Sequence, residues 1–395
     1  MSTEQYDAYP YPPRNPKDEA KRLITGSPSH PTEIDTHLFG GRRDWSEPFR
    51  ALVAGGGTGD ALVMMAQVLS RAKVPYEITY LDLSTAARAV AEARIKARGL
   101  SGVTFVTASL LDAADHGPFD YIDCCGVLHH LEDPRAGLSA LAAALTPGGG
   151  IGFMVYARDG RAGVYALQDA FRALLPDGPP EERLEAAKKI LTTVPEGHPF
   201  RRNPNLGDHL HSEAGLYDLL LHSQDRAYAA DEWVAELSGA GLELTRWVAP
   251  ALYDLSMVQS VPEGMDAVTA MAVAEKLRGT ITKHVGYAQR LGEVAAPITQ
   301  PALTLVPHLE APRAEIAKAV AARKALKLTV QGVTFRLKLP EAAAGVLRRV
   351  DGRASLAEIA GGVKLDAITF QSLWPRIHEA LMATGSLRYS SLKLR

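Results

Sequence analysis

Over residues 50–157 short apolar runs alternate with amphipathic stretches. The runs Ala51–Ala54, Tyr76–Asp82, Tyr121–Cys125 and Ile151–Tyr156 each read as a strand ending in polar or glycine-rich residues. Helical patterns lie between them, from Asp60 to Arg71 and onward from the Asp133-Pro134 start, where Asp caps and Pro suits a first turn. Strand–helix alternation of this kind predicts a doubly wound α/β fold with a parallel sheet and right-handed crossovers.

Beyond residue 157 the period changes. Val164, Leu167, Phe171 and Leu174 make one apolar stripe, so residues 163–195 read as helix. The segment His198–His211, rich in Asn, Pro, Gly and His, reads as a loop. Leu216–Leu221 and Ala230–Leu237 are helical, and Leu242–Val248 is a strand expected to close the same sheet. Residues 255–300 read as mostly helical, with linkers at Thr299–Pro301 and Pro307–Pro312. Lys327–Lys338 reads as a β-hairpin turning at Gln331-Gly332, followed by three helices and a last short strand at Leu387–Tyr389. The predicted organisation is an N-terminal extension over 1–48 and a main domain over 49–254 with a helical insertion at about 160–230. A helical connector over 255–324 and a small winged-helix-like α+β domain over 325–395 follow. For that last module, partner recognition and packing or homodimerisation fit equally.

Composition narrows the class. The chain has 395 residues, 46% hydrophobic and 22% charged, with a net charge of −2. Such a balance gives no bulk attraction to nucleic acid or to an anionic membrane. The N-terminal stretch is polar and proline-rich, without an apolar signal core, and no apolar run reaches the ~20 residues of a membrane span. Two adjacent cysteines, Cys124 and Cys125, on a buried strand suit a reducing, cytoplasmic compartment.

The chemistry concentrates at strand ends. Ala54-Gly-Gly-Gly-Thr-Gly59 places Gly55, Gly57, Thr58 and Gly59 between a strand and a helix, where the backbone turns sharply and can approach a ligand. Asp82 ends the second strand, 23 residues past Gly59, a spacing that suits a carboxylate accepting from two ribose hydroxyls. Its structural alternative is capping of the helix that begins near Ser84. Asp60 stands where a dinucleotide fingerprint wants Gly or Ala, and a carboxylate there disfavours a pyrophosphate and favours a ligand with a cationic part.

Four motifs in order, Ala54–Gly59, Leu81-Asp-Leu-Ser84, Gly126-Val-Leu-His-His-Leu-Glu-Asp-Pro134 and Leu145-Thr-Pro-Gly-Gly149, resemble those of class I S-adenosylmethionine (SAM)-dependent methyltransferases. The resemblance covers roughly residues 50–157. It implies a Rossmann-like sheet, SAM as cofactor, and a cofactor wall of Gly55, Gly57, Thr58, Gly59, Asp82, Leu83, Ser109, Leu110, Gly126 and Val127. Tyr9-Pro-Tyr-Pro12, Tyr156 with Arg161, and Asp218-Leu-Leu-Leu-His-Ser-Gln224 are similar to features of bacterial methyltransferases often fused to tetratricopeptide repeats, a group that includes rickettsial protein-lysine methyltransferases. This similarity implicates Tyr156, Arg161, His222 and Gln224 in the substrate site. The chain lacks the repeats, and carries Ala108-Ser109 where the group has Gly-Asp.

His129 and His130 are candidate general bases or packing groups for the cofactor, with Tyr156 and His222 beside them. Tyr9, Tyr11 and Arg14 are candidate lid residues, Arg14 pairing a carboxylate of cofactor or substrate. No metal site is expected, because His209, His211, His198 and His222 lack ligand spacing. The expected activity is methyl transfer to a nitrogen or oxygen nucleophile of a protein side chain or small metabolite. A SAM-binding regulator without turnover and an NAD-dependent oxidoreductase are the alternatives.

Overall fold

The computed structural model describes residues 7–363 and 365–394; the first six residues of the N-terminal extension lie outside the described residues. Helix α1, Pro31–Leu38, precedes strand β1, Phe49–Ala54. Helix α2, Asp60–Ala72, leads to β2, Tyr76–Asp82, and α3, Thr85–Ala97, to β3, Val103–Thr107. Then come β4, Phe119–Cys125, α4, Pro134–Ala143, and β5, Leu145–Tyr156. Helices α5, Val164–Leu174, α6, Pro180–Thr193, and α7, Glu213–Leu220, form the insertion, and α8, Ala230–Gly239, leads back to β6, Leu242–Trp247.

With a further strand β7, Lys283–Arg290, the seven-stranded sheet runs β3-β2-β1-β4-β5-β7-β6. Strands β1 to β5 pair parallel, as the alternating pattern predicts for all but β3, which the sequence reading does not single out. β1 is buried at every position but Arg50, as expected for a central strand covered on both faces. One apolar cluster fills the α4 and α8 side, with Phe153, Trp233 and Trp247 at its centre. A second lies under α1 and α2.

Three departures from the sequence reading are informative. First, residues 255–300 are not mainly helical. After α9, Ala267–Arg278, they supply β7, Lys283–Arg290, which inserts antiparallel between β5 and β6. The main sheet therefore extends past residue 254. β7 has no apolar run because its inward polar residues find partners elsewhere. His284 bonds Tyr253 Oη and the Tyr228 carbonyl, and Gln289 Nε2 donates to Gly148 O. Second, the polar segment Pro31–Leu38 is a helix with all eight residues buried. Asp35 accepts from Trp45 Nε1 and from Ser390, Thr36 Oγ1 donates to Tyr389 O, and Arg388 pairs with Glu33 at 2.6 Å. A buried polar helix is stable only with such partners, and all of these but Trp45 lie some 350 positions away in the chain. Third, part of the Pro307–Pro312 linker is a strand. β8, Val306–Leu309, pairs antiparallel with the final strand.

In the C-terminal region β9, Leu326–Val330, and β10, Val333–Leu337, form the expected hairpin. Gln331 and Gly332 both have positive φ, 47° and 78°, the requirement of a type I′ turn. Helices Leu356–Gly362 and Ala367–Ala383 follow, and β11, Leu387–Ser390, ends the fold. These elements share their own apolar cluster around Trp374, Ile377 and Leu381.

Candidate active site

A cavity of about 420 Å³ opens at the C-terminal ends of β1, β2, β4 and β5, where an open α/β sheet presents free backbone ends and loops to a ligand. Gly55 and Gly57 have φ of 67° and 51°. A Cβ on Gly55 would sit 2.4 Å from Val127, and one on Gly57 would sit 2.6 Å from Tyr11 O. Glycine is required at both positions. Gly57 N–H donates to Asp82 Oδ2 and Ser84 N–H to Asp82 Oδ1, both at 2.8 Å. Asp82 thus braces the glycine loop while facing the cavity, and Ser84, not Asp82, caps α3. Burial raises the Asp82 carboxyl, and the N–H groups of Ser84 and Gly57 offset only part of that rise.

The other expected cofactor-wall residues divide. Leu83, Ser109, Leu110, Gly126 and Val127 line the cavity. Thr58 and Gly59 do not: Thr58 is buried and donates to Pro12 O at 2.6 Å, and Gly59 starts α2 and packs on Ala91. Asp123, Cys125, Met154, Asp218 and Lys283 line it as well. Sequence reasoning passed over these because each sits inside a strand or helix whose facing only the tertiary structure sets.

The N-terminal segment crosses the glycine loop. Tyr11, Pro12 and Arg14 line the cavity, and Tyr9 stacks on Tyr217 of the insertion at 5.5 Å. Arg14 does not wait for a ligand carboxylate. It grips Asp60 through Nε to Oδ1 at 2.9 Å and Nη2 to Oδ2 at 2.6 Å, while Arg94 Nη1 also donates to Oδ1 at 2.7 Å. Burial alone would raise the Asp60 carboxyl, but the two guanidinium groups more than reverse this and hold it below its usual range. Asp60 is therefore neutralised internally, and the inference that it attracts a cationic ligand is corrected.

At the β5 end Tyr156 Oη donates to Asp218 Oδ2 at 2.8 Å, with Tyr11, His130 and Lys283 on the same wall. Arg161 does not reach the cavity. Its guanidinium lies 3.6 Å from the Tyr156 ring centroid and pairs with Asp225 at 3.3 Å, buttressing the tyrosine from behind. His129 is also behind the wall, its ring 4.0 Å from Tyr156. His222 stacks on His130 at 3.7 Å, and the Gln224 side chain is exposed, only its backbone reaching His130 Nδ1 and His222 Nδ1. Burial pushes His129 well below its usual range and pulls His130 and His222 down to about 4. Groups this weakly basic are poor general bases at neutral pH.

Four carboxylates, Asp60, Asp82, Asp123 and Asp218, line the cavity against Arg14 and Lys283. Arg14 is already spent on Asp60. The remaining excess of negative charge opposes a pyrophosphate and suits a sulfonium ligand, while Leu83, Ala108 and Leu110 give an apolar flank beside Asp82 for a base. The residues present fit S-adenosylmethionine.

Comparison with known proteins agrees. Residues 52–151 match a family described as methyltransferase domain. An uncharacterized protein of Synechococcus is 32% identical over 263 residues, covering 64% of this chain and 62% of that relative, so the match spans less than two thirds of the relative's length. Among solved structures, PKMT2 from Rickettsia typhi superposes with a TM-score of 0.63 at 16% identity, covering 94% of this chain and 78% of that one. The same protein in complex with AdoHcy superposes with a TM-score of 0.62 at 14% identity, covering 92% and 76%. Residues 52–151 thus match a methyltransferase domain in sequence, and over nearly its whole length the chain has the Rossmann-like fold of a class I methyltransferase.

Proposed function

We propose that this protein transfers the methyl group of SAM to a nitrogen nucleophile, an amine of a protein side chain or of a small metabolite. The observation that carries this reading is the Tyr156–Asp218 pair on the cavity wall. A carboxylate and a phenol oxygen can accept N–H bonds from an amine and aim its lone pair, and they offer little to an anionic acceptor. SAM supplies an electrophilic methyl on a good leaving group. With SAM bound, the amine nitrogen would take the methyl as the carbon–sulfur electrons stay on sulfur, and the amine proton would pass to the Asp218 carboxylate and on to solvent.

The chain's own contribution is alignment and exclusion of water, effects worth several kcal/mol. Asp82, on the cavity wall, can accept from the ribose hydroxyls, Gly55 and Gly57 allow close approach, and the segment around Tyr11 and Pro12 covers the loop. The uncharacterized status of the Synechococcus relative gives no acceptor. The name PKMT2 belongs to a protein sharing only 16% of residues, and supports a protein amine as one of the two acceptor classes to be tried.

The test is S-adenosylhomocysteine release with labelled SAM and fractionated extract. Label in protein or small-molecule amines is expected, with Asp218→Asn cutting kcat by about a hundredfold and leaving the SAM dissociation constant within about threefold. Tight SAM binding without any acceptor being labelled would leave a regulatory SAM-binding protein instead. Label recovered on hydroxyl oxygen would sink the nitrogen assignment.

A further inference from the structure

At and behind the Tyr156 wall lies a cluster the methyl-transfer reading does not use. His129 is 1% exposed, and neither of its ring nitrogens has a hydrogen-bond partner. Burying two such atoms unpaired is costly. Asp225 shows the same feature on one side only. Its Oδ2 accepts from Gln168 Nε2 at 2.8 Å and from Arg161 Nη2 at 3.3 Å, while Oδ1 is buried and unpartnered. His130 is fixed through Nδ1, 2.8 Å from the Gln224 carbonyl, which makes Nδ1 the protonated nitrogen and turns Nε2 into the acceptor. One ligating atom from each of His129, His130 and Asp225 lies within 4.8 Å of the other two.

This is the pattern of a metal site with supporting bonds in place on His130 and Asp225. Ligating histidines characteristically give their other nitrogen to a carbonyl or carboxylate, and ligating carboxylates are themselves hydrogen-bonded. Two imidazoles and a carboxylate suit zinc, iron(II) or manganese(II) rather than calcium or magnesium, which prefer all-oxygen sites.

We propose that His129, His130 and Asp225 bind a divalent first-row transition metal ion that ties the loop after β4 to the segment after α7. The Arg161 guanidinium shares Asp225 through Oδ2 and weakens the site without occupying Oδ1. The ion gives one ring nitrogen of His129 and the free Oδ1 of Asp225 a partner, and it fixes the loop that carries His130 to the segment that follows α7, the helix of Asp218. Its role is structural, so it adds no step to methyl transfer.

The test uses the full chain stripped with a chelator and titrated with Zn²⁺ and, separately, Co²⁺. Expected are uptake of one equivalent, a rise in Tm on binding, and a cobalt ligand-field spectrum with nitrogen ligation. His129→Gln and Asp225→Asn should each weaken binding at least about tenfold. His209→Ala with His211→Ala, which removes the loop histidines, should leave it intact. No uptake by the unaltered chain overturns the proposal, a result readable even if a variant fails to fold. Binding that survives His129→Gln and Asp225→Asn, or that disappears with the loop histidines, overturns it too.

Discussion

Gln331, at the tip of the C-terminal hairpin, clasps the backbone of Lys283 at the start of β7. Its Oε1 accepts from Lys283 N at 3.0 Å and from Thr282 N at 3.0 Å, and its Nε2 donates to Lys283 O at 2.6 Å. The Lys283 side chain lines the cavity, so a residue of the last quarter of the chain fixes part of the acceptor wall. Gln331→Ala leaves these backbone groups unpaired and is expected to destabilise the fold by about 1–3 kcal/mol. Urea unfolding of parent and variant measures it, and equal midpoints would refute the clasp.

The glycine loop gives a sharper prediction. Gly57→Ala combines a φ of 51° with a Cβ 2.6 Å from Tyr11 O. Strain of about 1–3 kcal/mol must be relieved by moving the loop or the N-terminal segment, so SAM affinity should fall at least about tenfold. Gly345→Ala is the control, because Gly345 lies in the short helix Ala343–Leu347, a Cβ there meets nothing within 4 Å, and alanine favours a helix. Calorimetric titration of both variants decides the matter.

Arg14→Ala removes the grip of the N-terminal segment on Asp60 and leaves Asp60 to Arg94 alone. Both Arg14 and Asp60 are about a quarter exposed, so the loss is modest, roughly 1 kcal/mol. Residues 9–14 should become more open to limited proteolysis, and SAM binding should weaken severalfold, more so at low salt than at high salt. Unchanged cleavage would show that Tyr9 on Tyr217 and Thr58 on Pro12 hold the segment without the ion pair.

Asp123 sets a pH dependence. Burial raises its carboxyl to about 6 from 3.8, against hydrogen bonds from Ser29 and Cys125 that lower it. Between those two values the folded protein holds a proton that the unfolded chain has released. Stability from this group is therefore greatest below pH 4 and is lost as pH rises to about 6, by roughly 3 kcal/mol. Asp123→Asn cannot ionise, so its stability relative to the parent should improve from pH 4.5 to pH 6.5. Parallel unfolding profiles for the two proteins would contradict the assignment.

The sequence by itself determined four of the five parallel strands and the glycine loop. Both are local: apolar runs of strand length, four glycines in five positions, and Asp82 at the spacing of one helix and one strand. Gln331-Gly332 likewise announced its own turn. What only the tertiary structure decided are the pairings between distant polar residues. β7 and α1 carry buried His284, Gln289, Glu33 and Asp35, and a polar segment is legible as core only once its partners are known. The same holds at the site, where Asp60 is spent on Arg14 and Arg94, Arg161 stands behind Tyr156, and Asp218 and Lys283 reach the cavity from elements whose facing the pattern leaves open. Periodicity reports which residues must leave water, but only the folded chain shows which charges meet there.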